Sequence, residues 1–431
     1  MRVTLVADSC FLFEHAGMRM LTDPWIGTAI AGGAWIQFPR PVITAEQVGK
    51  LDYIFISHIH EDHCDLPTIR HLDRNARVIL MDRKPNFVEN FLRHNRFGFK
   101  EVINVPLRTQ YPIGPGMSVE VVEADPKHTL NHLVDSAMLL HYDGKSIYFA
   151  NDNPPYPEID EYLKRYDFEL ALLPPVGGSG YPAFYDSLSD EQKSKRATQI
   201  IDGYHEELLQ CLRRLKPRLF GCAANGHVLS GANAHLNEFM SWPQSACSPY
   251  RYVKQRLQPG DGFKPILLQP GDSTDLEKDP GAEYDSAIRF YDNRAERAEY
   301  VRTEARRVPY YYESFQLSPS IFFPKLFELA HPRLKAYLER AKVDLPWKYF
   351  FAYPHDKFAS VSLSPPYELV LDTQPTESER LVIRSEPRVL YMLLTGGFSW
   401  NIADATSFLH YDRRPDSYIY EMYIGLNHFR I

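Results

Sequence analysis

Cysteine is scarce: the 431 residues hold five, Cys10, Cys64, Cys211, Cys222 and Cys247, widely spaced and odd in number. No C-x-x-C pair occurs, so neither a disulfide framework nor a cysteine-built zinc site is expected. Long apolar runs are missing as well. Nothing approaches the ~18 to 20 residues of a membrane helix, and the N-terminus opens on a strand-like run at 3–6 without the basic region of a secretory leader. Positive charge is not in excess: 48 Lys and Arg against 55 Asp and Glu leave a formal net charge of −7. That balance argues against a nucleic acid or an anionic membrane as the main partner. Together these absences predict a soluble cytoplasmic protein that acts on a small molecule. Aromatic residues are plentiful instead, at 13%, with 27 Tyr, 25 Phe and 5 Trp beside 33 Pro. Such a chain has stiff, half-polar side chains to line pockets and many rigid loops.

At ~150 residues per domain the length implies two or three domains. Over the first 150 residues short β-type runs recur at 3–6, 10–14, 19–22, 53–56, 78–81, 102–105, 119–123, 137–141 and 146–150. His15-Ala16-Gly17 joins the second and third as a hairpin, and Tyr142-Asp143-Gly144-Lys145 joins the last two. Helical spacing places Leu66, Ile69 and Leu72 on one face, and 85–95 reads as another helix. A longer helix or helix pair over 190–214 is ended by Lys216-Pro217, and strands at 218–223 and 265–269 follow. This order predicts two sheets sandwiched between helices over 1–275. An appended α+β segment is expected over 276–431, covering or extending the site. It has a charge-rich helical pattern to 308, a helix near 324–341, strands at 358–363, 368–371 and 381–384, and two short terminal helices.

The sharpest signal is Ile54-Phe55-Ile56-Ser57-His58-Ile59-His60-Glu61-Asp62-His63, an apolar strand running straight into His-x-His-x-Asp-His. Alternate residues of an extended loop point the same way, so His58 and His60 can grip one metal together. The loop then turns toward the helix near Leu66, which lets Asp62 and His63 face a second position. Imidazole and carboxylate are the donors that borderline and harder divalent ions prefer. Two ions need more donors, and strand ends offer them: His128 after 119–123, Asp152 after 146–150, and His227 after 219–223. His132 competes with His128, and His235 with His227. Asp152 could bridge two cations through its two oxygens, which no imidazole can do.

The order Thr4-Leu5, Ser9 to Gly17, Leu21-Thr22-Asp23-Pro24-Trp25 and then the histidine motif resembles the metallo-β-lactamase superfamily. That resemblance implies an α/β fold, the αββα metallo-β-lactamase sandwich, with a dinuclear site at the sheet edge. Carried over, it implies one ion on His58, His60 and His128, another on Asp62, His63 and His227, and Asp152 between them. Lactonase-like and phospholipase-like members usually carry Gly-His where this chain has Ala7-Asp8. Asp8 is therefore expected as a hydrogen-bond acceptor beside the metals. Gly33-Ala34-Trp35-Ile36-Gln37-Phe38-Pro39, Gly177-Gly178-Ser179-Gly180-Tyr181-Pro182, Leu215-Lys216-Pro217-Arg218-Leu219, Arg414-Pro415-Asp416-Ser417-Tyr418 and Asn427-His428-Phe429 are similar to the catalytic part of the CMP-N-acetylneuraminate hydroxylase family. That family carries a Rieske iron–sulfur domain, whose Cys-x-His and Cys-x-x-His elements none of the five cysteines fits.

The resemblance implies an iron-dependent oxygenase holding two divalent ions, iron rather than zinc. It would use O2 and take electrons from a separate electron-transfer protein. The alternative is a hydrolase of a phosphodiester, lactone or amide, in which Asp62 or Asp152 orients a water. For the substrate, backbone N–H groups at Gly178 and Ser179 are expected to approach an anion, Tyr181 to stack on a flat group, and Arg414 to clamp a carboxylate or phosphate. A homo-oligomer is compatible with all of this.

Overall fold

Alternation along the strands sets the layers. In the strand Cys10–His15, Phe11 and Phe13 point one way while Cys10 and Leu12 point the other. In Phe168–Leu173, Leu170 and Leu172 oppose Ala171 and Leu173 in the same manner. Strands apolar on both faces must be covered on both. In a computed structural model, which describes residues 1–126, 135–153, 156–175, 179–224, 226–242, 247–278 and 294–431, the cover is one sheet on another with helices outside.

The first sheet runs Ser273–Asp275, Arg2–Ala7, Cys10–His15, Met18–Thr22, Tyr53–Phe55, Arg77–Met81, Glu101–Val105. The second runs Lys264–Pro265, Leu219–Cys222, Phe168–Leu173, Lys145–Phe149, Ser136–Tyr142, Met117–Glu123, Tyr111–Gly114. Between them lies a core that includes Val3, Phe13, Phe55, Val121, Leu140 and Leu172. Outside the first sheet, Leu12, Ile54 and Val78 pack with Ile69 and Leu92, from the helices Leu66–His71 and Phe87–His94. Outside the second, Leu139, Tyr148 and Phe220 pack with Ile159 and Leu208, from Pro157–Leu163 and Asp190–Leu215. This is the expected αββα sandwich. The expected strand at 265–269 is shorter than its apolar run, because only Lys264–Pro265 pairs with Leu219–Cys222.

The C-terminal segment adds a five-stranded sheet in the order Leu369–Thr373, Lys357–Ser362, Lys348–Tyr353, Arg380–Arg384, His410–Arg414. Against it lie the helices Phe323–Arg340, Pro387–Thr395, Trp400–Ala405 and Tyr420–Leu426. Its core is continuous with residues of the sandwich: Phe351, Phe429 and Leu393 share one cluster with Trp25, Trp35, Phe184 and Trp242. Residues 180–186 are grafted onto the edge strand His410–Arg414, through Tyr411 N to Phe184 O at 2.8 Å and Asp186 N to Tyr411 O at 2.7 Å. No helix among the described residues is long and apolar enough to cross a membrane.

One glycine in this seam is obligatory. Gly231 has φ +69°, and a Cβ placed there would lie 2.2 Å from the ring of buried Tyr310. Tyr310 cannot retreat, since its hydroxyl donates to Ser230 O at 2.8 Å and accepts from Asn233 N at 2.9 Å. Gly231→Ala is expected to cost about 2–4 kcal/mol, combining backbone strain with overpacking. A urea melt should show it as a lowered midpoint at unchanged slope; an unmoved midpoint would mean the seam has slack.

Candidate metal centre

Tyr53–Phe55 sits mid-sheet, parallel to both Met18–Thr22 and Arg77–Met81. Its C-terminal end opens at the sheet edge, where residues 56–63 form a loop before the helix Leu66–His71. The side chain of Asp65 caps that helix by accepting from Thr68 N at 2.9 Å. With the cap supplied by Asp65, Asp62 is left to the histidines.

Two imidazoles are fixed by their Nδ1 atoms. Ser57 Oγ donates to Asp23 Oδ2 at 2.8 Å and so accepts from His58 Nδ1 at 3.0 Å. Asp135 Oδ1 lies 3.3 Å from the same Nδ1. His63 Nδ1 donates to Asp23 Oδ2 at 2.9 Å. Both rings thus carry the proton on Nδ1, and their Nε2 lone pairs face inward. His58 Nε2 is 2.9 Å from His60 Nδ1 and 3.9 Å from Asp152 Oδ2. His63 Nε2 is 3.0 Å from Asp152 Oδ2 and 3.3 Å from Asp62 Oδ2. The donor atoms of His58, His63 and Asp152 all lie within 4.8 Å of one another.

This donor set fits divalent cations. Two ligands ~2.0–2.2 Å from a shared ion lie about 3.0–3.5 Å apart, close to the spacing of these pairs. The charge pattern agrees. Burial pushes the Asp62 carboxyl up, but His63, His60 and His58 outweigh it and hold it far below the usual carboxylate range. Burial pushes His63 down, and Asp152, Asp62 and Asp23 together lift it well above an ordinary imidazole. Among the described residues a protonated His63 gives those three carboxylates positive charge; a cation would take over that role and leave His63 neutral. His58 is held neutral by burial and by its His63 and His60 neighbours, as a ligand must be.

His227 begins the strand His227–Leu229. Its Nδ1 donates to Asp8 Oδ2 at 3.2 Å, and Asp8 Oδ1 accepts from Gly226 N at 3.1 Å. Asp8 thus does for His227 what Asp23 does for His63, as expected of an acceptor at that position. Burial acts to lower His227, but Asp8, with Asp62 and Asp152 adding to it, raises the ring above its ordinary value, so it shares their field. His235 is exposed in the 3-10 helix Gly231–Phe239, Nδ1 against Ala232 O at 3.3 Å.

The expected ligand His128 and its rival His132 lie outside the described residues, as does Gly178. Three of the residues expected at the substrate show no contact with the histidine cluster among the described residues. Ser179 Oγ accepts from Tyr181 N at 3.2 Å, and Tyr181 donates to Asp416 Oδ2 at 2.7 Å. Arg414 Nε donates to Asp412 Oδ1 at 2.9 Å. Tyr181 and Arg414 are engaged with the C-terminal segment, where neighbouring carboxylates satisfy them.

Asp23 and Asp135 escape a reading of the motif. Asp23 sits in Thr22-Asp23-Pro24, where an aspartate before proline reads as a turn. Its buried carboxylate accepting from Ser57 and His63 becomes visible only once the strands pair. Burial and the nearby Asp152 push the Asp135 carboxyl up to about 8.

A model of the beta-lactamase superfamily domain matches residues 18–184. The mouse cytidine monophosphate-N-acetylneuraminic acid hydroxylase is 36% identical over 241 residues, which are 53% of this chain and 39% of that protein. A provisionally named Rieske 2Fe-2S iron-sulfur protein of Mycobacterium tuberculosis is 25% identical over 190 residues, 43% of this chain and 36% of that one. The chain thus spans well under half the length of the curated relatives it matches. Among solved structures, the diiron β-hydroxylase CmlA of Streptomyces venezuelae aligns with TM-score 0.43 and 18% identity, over 63% of this chain and 53% of that one. The metallo hydrolase Igni18 of Ignicoccus hospitalis aligns with TM-score 0.43 and 20% identity, over 63% and 97%. Residues 18–184 thus match a beta-lactamase superfamily domain, and the two packed sheets with outer helices that carry them form an αββα sandwich.

Proposed function

We propose that this chain is a dinuclear metal-dependent oxygenase that hydroxylates a polar small molecule, with electrons delivered by a separate protein. The observation that carries the reading is the 36% identity to a sialic-acid-nucleotide hydroxylase, which extends over 53% of the chain. His58, His60 and His128 would hold one ion, Asp62, His63 and His227 the other, with Asp152 between them. Iron bound there supplies the change of oxidation state that O2 activation requires, which zinc cannot supply. The chain's own groups orient and seclude. Asp23, Asp8 and the Ser57–Asp135 pair lock three imidazoles by their Nδ1 protons. Asp152, with its side chain 37% exposed, marks the side open to substrate.

One feature favours hydrolysis as the second reading. Asp62 keeps 15% of its side chain exposed beside His63, where its ionised oxygens could orient an attacking water. The two readings separate on electrons. Protein loaded anaerobically with Fe(II) is expected to consume O2 only when a reductant is added, and the zinc form is expected to consume none. Turnover of a phosphodiester, lactone or amide by the zinc form without O2 would overturn the oxygenase and establish the hydrolase. His60→Ala and Asp62→Ala are each expected to abolish either activity while the far-UV spectrum stays that of the parent. Retained turnover would place the chemistry elsewhere.

A further inference from the structure

Three of the chain's five tryptophans surround one histidine. The Trp35 ring stacks on His227 at 4.9 Å between centroids, Trp242 lies at 5.3 Å and Trp25 at 6.0 Å. Trp35 and Trp242 meet edge to face, at 6.4 Å and 86°. Trp35 is 7% exposed and Trp242 2%. An aromatic box of this kind can be simple core, and in that case its indole N–H groups find acceptors inside the chain, because a buried donor without one costs about 1–3 kcal/mol. Two indoles of this chain behave so: Trp25 Nε1 donates to Thr28 O at 3.0 Å and Trp400 Nε1 to Phe429 O at 2.9 Å. Trp35 Nε1 and Trp242 Nε1 are buried and have no partner among the described residues. The two unpaired donors of the box are therefore the two whose rings lie nearest His227, and the third ring, Trp25, follows two residues after Asp23, the carboxylate that holds His63.

We infer that Trp35 and Trp242 form a recognition subsite, beside the metal centre, for an acceptor-only oxygen group on the substrate, a carboxylate or a carboxamide carbonyl. The inference rests on the proposed site but not on which reaction occurs there. A hydroxyl or amine would bring hydrogens of its own toward two N–H groups; a carboxylate or amide oxygen brings only lone pairs. The indole faces keep water out, so each hydrogen bond counts for more than it would at the surface. Ser241 holds the box in place: its Oγ donates to Tyr181 O at 2.6 Å, and Trp242 follows it directly.

The test uses zinc-loaded protein labelled with 15N at the indole nitrogens, with acetate and acetamide as probes. Trp35→Phe and Trp242→Phe each delete one indole resonance and so assign it. Both assigned resonances are expected to move downfield, saturably, with at least one probe, while the Trp400 resonance stays still. The double variant, keeping its far-UV spectrum, is expected to bind that probe about fivefold more weakly, read on Trp25. A response to acetate alone identifies a carboxylate; an equal response to acetamide identifies a carbonyl. If either indole ignores both probes, or the double variant binds as tightly as the parent, the subsite is overturned. Loss of O2 uptake in the iron form with the indole shifts intact would sink the oxygenase reading and leave the subsite standing.

Discussion

Asp23→Ala is expected to lower metal affinity ~10- to 100-fold and to destabilise the fold at the same time. Asp23 is fully buried and accepts three times: from Ser57 N at 2.8 Å, Ser57 Oγ at 2.8 Å and His63 Nδ1 at 2.9 Å. Removing the carboxylate frees the His63 ring to turn and frees Ser57 Oγ, which in turn orients His58. Each donor left unpaired in the interior costs about 1–3 kcal/mol. Asp23→Asn keeps the shape but puts an amide where a charge faced His63, so its affinity should fall between the two. Competition against a chelator with metal-specific readout, beside a urea melt, measures both effects. A D23A protein that binds metal like its parent would show that His63 needs no support.

Arg413→Ala is expected to cost about 2–3 kcal/mol, because it removes a buried guanidinium packed between two rings and hydrogen-bonded to a carboxylate that is itself partly exposed. Arg413 lies between the Tyr181 and Tyr185 rings, 4.8 and 4.7 Å from their centroids. Its Nη2 donates to Asp416 Oδ1 at 2.6 Å and its Nη1 to the Tyr423 hydroxyl at 2.9 Å. Alanine removes both ring contacts and leaves Asp416 with only the Tyr181 hydroxyl and the more distant Arg196 among the described residues. Arg413→Lys keeps a charge but has no planar fork to stack and bond at once, so it should recover less than half of the loss. Because Tyr181 is bonded to Ser241 and Trp242 packs on His227, Arg413→Ala should also loosen the Trp242 ring against that imidazole, and with it the ion that the proposed function puts there. Equal urea midpoints for parent and R413A would sink the idea that this pair fastens the C-terminal segment to the sandwich.

The parts legible in the sequence are those written in local chemistry. His58, His60, Asp62 and His63 announce themselves within six residues, and the hairpins around Ala16-Gly17 and Asp143-Gly144 carry their own turn signals. Asp152 and His227 could be named because strand ends are where this fold gathers its side chains. Asp23 and Asp135 could not, since an acceptor for an imidazole is chosen by pairing across strands far apart in sequence. Lys348–Tyr353, the central strand of the C-terminal sheet, was hidden because Lys-Tyr-Phe-Phe-Ala-Tyr is aromatic throughout and shows no clear alternation. Arg413 and Arg414 look alike on paper. Only the sheet makes alternate residues face opposite ways, burying the first against tyrosines and leaving the second 57% exposed.

The grafting of residues 180–186 onto the strand His410–Arg414 has a practical corollary. A polypeptide trimmed after Asp275 would bare Trp35, Phe184 and Trp242, which now pack within one cluster beside Phe351 and Phe429. Such a fragment would clump, and its inactivity would say nothing about the histidines. Two fragments produced together, divided beyond Asp275, should instead find each other by zipping that strand edge, and their recovery of bound metal would gauge how far the site depends on its neighbour.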